Sequence, residues 1–357
     1  MARQDPSLLT FPFPVPPAPG EVLEMLPGLY SVRMPLPLRL DHVNVWVFDD
    51  GDGLLIIDTG IADERTPELL RQARTRLPKK PITRVLVTHH HPDHCGLADR
   101  ICAEHGAELF MSAQAYEAAL ILQHRTNGTD ATSTARSLAK HGLSPEAQRF
   151  LIDHESELAA LKPGMPPRFS ELSDDDTVSV GGYECRVIFG QGHAPDHVCL
   201  YSPGDRPGGA GGFLISGDML LPNISTHVGS PATWLPGNPV AQFQRSVKKL
   251  AALPADTFVL PSHGSPFFGA RERVAELERH HEQRCLSMLA VLGEPRSAGE
   301  LLAVIFKREL DPLQLMFAMN EATAHLEYMT DRGDLQRLEG DDEVIRYIRT
   351  DTQRRPK

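Results

Sequence analysis

The heptapeptide Thr88-His89-His90-His91-Pro92-Asp93-His94 places four imidazoles and a carboxylate within six consecutive positions. Imidazole is a poor core filler, and protonated copies repel one another. A metal ion removes both objections, because neutral imidazole and ionised carboxylate are its natural ligands. The run is internal and flanked by structure-forming segments, unlike a purification tag. Arg84-Val85-Leu86-Val87 before it reads as a short buried strand. In extended backbone His89 and His91 project to the same side. Pro92 stops the strand, and Asp93 is predicted to N-cap a helix from Cys95 to His105. A strand end thus offers one pair of ligands and a helix start another, which suits two neighbouring metals better than one.

Other strand ends supply further candidates. The aliphatic run Leu54-Leu55-Ile56-Ile57 closes at Asp58-Thr59-Gly60. Gly190 to His197 carries His193, Ser216-Gly217-Asp218 ends another strand, and Leu260-Pro261-Ser262-His263-Gly264 a last one. Each alone is an ordinary turn. In layered α/β proteins such ends converge on one edge, where loops build sites. Together they make six or seven imidazole and carboxylate ligands, enough for two metals with room for water.

The chain divides by pattern. Residues 1–28 form a proline-rich arm, expected to lie extended on the surface or on a neighbouring subunit. Residues 29–269 alternate strand and helix signals, as an α/β catalytic domain does. Within them a helical tract at about 112–165, with a polar stretch from Gln123 to Thr134, reads as an insertion that could cap a site. Residues 270–357 predict three helices followed by a small hairpin, the plan of a winged helix.

These residues resemble the metallo-β-lactamase-fold superfamily of metallohydrolases. Thr88 to His94 matches its His-x-His-x-Asp-His signature, Asp58 its upstream Asp-Thr-Gly element, and His193, Asp218 and His263 its later motifs in order. Glu321 and Ala324-His325-Leu326-Glu327-Tyr328 resemble the C-terminal winged-helix domain of lactamase-β-like, glyoxalase II-like hydrolases. The resemblance implies a four-layer αββα sandwich followed by a small winged-helix domain. It implies that His89, His91 and His193 hold one divalent metal and Asp93, His94 and His263 a second, with Asp218 bridging them. Zinc is the first expectation, with iron or manganese also suited to this ligand set. A bridging hydroxide would be the nucleophile, Asp93 would orient it or shuttle its proton, and Asp58 would orient an imidazole by a hydrogen bond. His90 is expected to point away from the metals. His197 is divided between hydrogen bonding near the site and packing. His42 is read as structural with pocket lining as the alternative, and Cys95 and His325 are read as structural.

Composition narrows the reaction. Formal net charge is -11, which argues against a general nucleic-acid or anionic-membrane surface. Residues 271–357 hold 14 Lys and Arg against 17 Asp and Glu, and the hairpin tip from Glu339 to Glu343 is acidic. An RNA-binding wing should be basic. The reading is therefore hydrolysis of a carbonyl ester, thioester or lactone of a small organic substrate, with a metal-dependent ribonuclease or phosphodiesterase as the alternative. No run of apolar residues is long enough to span a membrane. The five cysteines lack a CxxC pair and suit a reducing cytoplasm. The arm and the extra domain leave room for a homodimer.

Overall fold

Period-two burial along residues 42–50 sets the architecture. Val43, Val45 and Val47 face one way, Trp46 and Phe48 the other, and all five are fully buried. A strand buried on both faces needs a layer on each side. The computed structural model describes residues 9–37, 39–124, 130–154, 163–204, 212–229 and 237–350. Its first strands are β1 (Val22–Leu26), β2 (Leu29–Pro35), β3 (His42–Asp50) and β4 (Gly53–Ile57). Helix α1 (Thr66–Arg74), β5 (Ile82–Leu86), α2 (Pro92–Cys95), α3 (Ala98–His105), β6 (Glu108–Met111) and α4 (Ala113–His124) follow. After α5 (Asp130–Ala139) and α6 (Pro145–Asp153) come β7 (Ser170–Glu171), β8 (Thr177–Val180), β9 (Tyr183–Gly190), β10 (His197–Ser202) and β11 (Phe213–Gly217). The chain continues through α7 (Pro239–Ala251), β12 (Phe258–Pro261), α8 (Ala270–Leu289), α9 (Ala298–Ile305), α10 (Pro312–Asp331), β13 (Leu335–Glu339) and β14 (Ile345–Arg349).

Strands β1 to β7 form one sheet in sequence order, antiparallel as far as β4 and parallel beyond. A second sheet runs β12-β11-β10-β9-β8, antiparallel except for the parallel β11/β12 pair. Trp46, Phe48, Leu55 and Ile57 of the first sheet pack against Val187, Leu200, Phe213 and Ile215 of the second. On its other face the first sheet is covered by Leu70 and Ala73 of α1, Ile101 of α3 and Tyr116 of α4. The result is a mixed α/β sandwich. The parallel strands β4, β5 and β11, β12 end on one edge.

Three expectations are corrected. Residues 22–26 belong to the sheet as β1, not to an arm, and the described part of the arm lies on its own chain. Thr10 bridges Phe268, and Phe11 and Phe13 face Phe267 and Phe258 at 6.3 and 6.2 Å. Asp93 is not an N-cap, because Pro92 starts α2 directly and the capping position falls to His91, whose side chain caps nothing. Nor is the helix from Cys95 continuous, since the chain breaks between α2 and α3. The break falls at Gly96 and Leu97: Leu97 leaves the helical region (φ -100°, ψ 8°), and at Gly96 a Cβ would lie 2.7 Å from both Ala62 N and Gly60 O. These are backbone atoms and cannot yield cheaply. Gly96→Ala is therefore expected to destabilise the protein by about 1–3 kcal/mol, read as a lower thermal midpoint; an unchanged midpoint would refute the close approach.

Packing divides the described residues into two units. Those within 1–124, 161–226 and 245–275 form the first, and those within 125–160, 227–244 and 276–357 the second. In the second, three helices and the β13-β14 hairpin share a core of Met288, Leu292, Leu301, Met319, Leu326 and Tyr347. Leu138 of α5, Leu151 of α6 and Leu143 between them join that core. Those helices, read in sequence as an insertion of the catalytic domain, thus pack with the second unit. Residues 125–129 and 155–162 of that tract lie outside the described residues.

Candidate metal centre

Every candidate site residue lies in the first unit, at or just beyond a strand end. Asp58 follows β4 in the left-handed region (φ 59°), a conformation that aspartate tolerates better than most residues. Its backbone N–H donates to Leu86 O at 2.8 Å, so the ends of the parallel strands β4 and β5 are tied together. Its carboxylate accepts from Thr88 N at 2.8 Å and from Thr88 Oγ1 at 2.9 Å. It also accepts from His94 Nδ1 at 2.8 Å. Thr59 N and Oγ1 donate to His94 O at 2.8 and 2.9 Å, which anchors the end of α2 from the same turn. The Asp-Thr-Gly turn therefore orients the His-rich segment and leaves His94 Nε2 pointing into the site.

Two donor groups result. His89, His91, His193 and Asp218 bring one ligand atom each to within 4.8 Å of one another, and Asp93, His94 and His263 do the same. His89 Nε2 lies 2.9 Å from His91 Nδ1 and 3.2 Å from His193 Nε2. Asp218 faces both groups. One of its oxygens is 3.4 Å from His193 Nε2, and the other is 3.2 Å from His263 Nε2 and 3.7 Å from His94 Nε2. Asp93 Oδ2 lies 3.4 Å from His94 Nε2 and 3.5 Å from His263 Nε2.

The electrostatics differ between the groups. Burial, with the neighbouring His94 and His91 rings, holds His89 far below the ordinary histidine range. His91 is held low in the same way by burial and by His90. Burial also opposes charge on His94 and His263. Asp93 and Asp58 outweigh it at His94 and raise its pKa well above the usual range, and Asp218 does so at His263. His263 and His94 in turn hold the Asp218 carboxyl well below its usual range, against its burial.

The residues present fit a divalent cation. His94 Nε2, His263 Nε2 and Asp218 Oδ1 are buried without a hydrogen-bond partner. Two imidazole nitrogens and a carboxylate oxygen left buried and unpartnered, beside the partly buried Asp93 carboxylate, are costly unless a cation completes them.

Neighbouring groups fix this arrangement. His197 Nε2 accepts from Asp218 N at 3.1 Å and its ring stacks on His89 at 4.6 Å. Gly217 allows that approach, because a Cβ there would sit 2.2 Å from the His197 ring. Burial, with the adjacent His193, pushes His197 down to about 3, so it stays a neutral acceptor. His90 is buried and lies outside both donor groups. Cys95 donates from Sγ to His90 O and His91 O at 3.2 and 3.3 Å and is not among the donors. Sequence reading assigned no role to Thr88 beyond the motif match. Its position as the polar residue that ends an aliphatic strand was the available signal. Ser262, whose Oγ donates to Asp58 Oδ2 at 3.4 Å, and Asn44, which donates from Nδ2 to Pro261 O at 2.9 Å, carried no such signal.

The profile of the metallo-beta-lactamase superfamily matches residues 38–263, and that of the metallo-beta-lactamase-like C-terminal domain matches residues 285–350. A crystal structure of a beta-lactamase domain protein from Burkholderia ambifaria is 38% identical, covers 96% of this chain and 98% of that one, and superposes with a TM-score of 0.86. A probable metallo-hydrolase of Bacillus subtilis, YqjP, is 24% identical over 84% of this chain and 91% of its own length. A hydroxyacylglutathione hydrolase of Chromohalobacter salexigens is 25% identical over 76% of this chain and 86% of its own. The fold implies divalent metal ions, and the chain carries a His/Asp cluster that suits them. The chain belongs to the metallo-beta-lactamase superfamily and is a hydrolase of it.

Proposed function

We propose that the protein is a dinuclear zinc-dependent hydrolase of a thioester, ester or lactone in a small or medium organic substrate. The observation that carries this reading is the pair of donor groups with Asp218 between them, one oxygen toward each. In this reading His89, His91 and His193 hold the first ion, Asp93, His94 and His263 the second, and Asp218 both. When bound, the ions supply Lewis acidity and bring the acidity of water near neutrality. The chain's own groups do the rest. Asp58 holds His94 in the tautomer that leaves Nε2 free. Asp93 Oδ2, between His94 and His263, is placed to orient a water and take its proton. The hydroxyacylglutathione hydrolase among the relatives, a thioester hydrolase by its name, favours a thioester over a phosphodiester. The acidic hairpin tip, Asp341 to Glu343, disfavours RNA.

We read α8, α9, α10 and the β13-β14 hairpin as a winged-helix-like arrangement. Five buried free thiols support a reducing, cytoplasmic setting. No helix among the described residues is long and apolar enough to cross a membrane.

The test is metal content followed by turnover of a thioester, an ester, a lactone and single-stranded RNA before and after chelation. Two zinc ions per chain are expected, with acyl turnover abolished by chelation and restored by zinc. Turnover of RNA alone, or acyl turnover indifferent to chelation, would reject the reading.

A further inference from the structure

Asn44 and His42, at the start of β3, grip the loop that carries His263. We propose that they are positioning residues, which set how firmly the Asp93–His94–His263 group holds its ion. This rests on the dinuclear reading above. Asn44 spends both amide protons on the loop, donating from Nδ2 to Pro261 O and to Gly264 O at 2.9 Å each. Its backbone N–H donates to Ser262 O at 2.7 Å. The His42 carbonyl accepts from His263 Nδ1 at 2.6 Å, and His42 Nε2 accepts from Gly264 N at 2.9 Å. Two residues thus bind every position from 261 to 264.

The consequence for His263 is a fixed tautomer. Its Nδ1 proton is committed to the His42 carbonyl, which leaves Nε2, 3.2 and 3.5 Å from Asp218 Oδ1 and Asp93 Oδ2, as the nitrogen that would face an ion. The His42 ring is fixed by the same logic. The Gly264 N–H can only donate, so His42 Nε2 must accept and its proton sits on Nδ1, 2.6 Å from Asp41 Oδ1. Arg33 Nη2 lies 3.2 Å from that carboxylate, and Arg33 Nη1 donates to Pro17 O at 3.4 Å.

Sheet formation does not require the Asn44 side chain. Strand β3 pairs with β2 in unbroken register from Leu29↔Phe48 to Pro35↔His42, and with β4 beyond. Both side-chain partners of Asn44 lie in the His263 loop. An aspartate there would be isosteric but would set carboxylate oxygens against two carbonyls.

Full-length wild type, Asn44→Ala and Asn44→Asp would be dialysed against buffered zinc, with bound zinc counted per chain and the chelated thermal midpoint recorded. Wild type should hold two ions. Both variants should lose one, its affinity falling about 10–100-fold, while the other stays within about threefold and the chelated Asn44→Asp protein still melts cooperatively. Should neither Asn44 variant fold, His42→Gln, which keeps an acceptor and the carbonyl, should hold both ions, and His42→Leu should weaken one. Unchanged affinities in the variants would overturn the proposal. So would equal weakening of both ions with loss of the cooperative melt, which marks a general structural role. A wild type that binds no zinc would overturn the dinuclear reading and this one with it, and that failure appears before any variant is made.

Discussion

Asp218→Ala should lower turnover of the best acyl substrate about 10³-fold, equivalent to several kcal/mol of lost transition-state stabilisation, and should cut bound zinc to one ion per chain or fewer. The residue follows β11 and is 7% exposed, with one oxygen toward His193 and the other toward His263 and His94. Removing it takes a shared anion from both groups at once. His94 and His263 then keep Asp93 as the one carboxylate facing their Nε2 atoms, and His193 Nε2 loses Asp218 as its carboxylate neighbour. The backbone should survive the change, because Asp218 N is held by His197 and Asp218 O by Thr226 Oγ1 at 2.6 Å. Loss of activity should therefore come without loss of fold, which circular dichroism would check. Two ions retained with more than a tenth of wild-type turnover would remove Asp218 from the bridging role.

Much of the sandwich was legible because it is written in local periodicity. The alternation of valines with Trp46 and Phe48 in β3 and the aliphatic run ending at Asp58 both locate strands to within a residue or two. What escaped depended on distant partners. β1 is the exception: it pairs with the adjacent β2, but Pro19-Gly20 and Pro27-Gly28 on either side mask it as a turn-rich stretch. The close approach of Gly60 and Ala62 to Gly96 joins positions more than thirty residues apart. Helices α5 and α6 read as a catalytic insertion, yet their leucines are covered by α8 to α10. The candidate site shows the same division. The run from His89 to His94 stood out by density alone, and His193, Asp218 and His263 by motif order. Asn44 and the His42 carbonyl act on His263 across more than 200 residues, and a backbone carbonyl has no letter in the sequence.

Acid should unfold the second unit, through two histidines far from the metal centre in sequence. His281 and His325 are 1% and 0% exposed and stacked at 5.2 Å, with His281 Nδ1 3.0 Å from His325 Nε2. His325 Nδ1 donates to Glu321 O at 2.7 Å, so its Nε2 accepts the His281 proton and the His325 ring is neutral. Burial, with the facing His325, pushes His281 down to about 2, and burial pushes His325 down to about 3. His280 and Arg284 add to both in the same direction. In the unfolded chain each titrates near 6.5. Below that value the unfolded state binds protons that the folded state refuses, so stability is full above pH 6.5 and falls as the pH drops toward 3. The slope is at most about 2.7 kcal/mol per pH unit for two protons, enough to consume a typical domain's stability of roughly 5–15 kcal/mol within a few units. Glu321 works the other way. Burial raises its pKa despite Arg284, so its folded form takes up a proton above pH 4.5 and offsets part of one histidine. Hydrogen exchange of the chelated protein should thus show α8 and α10 losing protection between pH 6 and pH 4, with a shallower loss in His281→Gln/His325→Gln. Identical pH dependence in the two proteins would mean that the pair does not set acid stability.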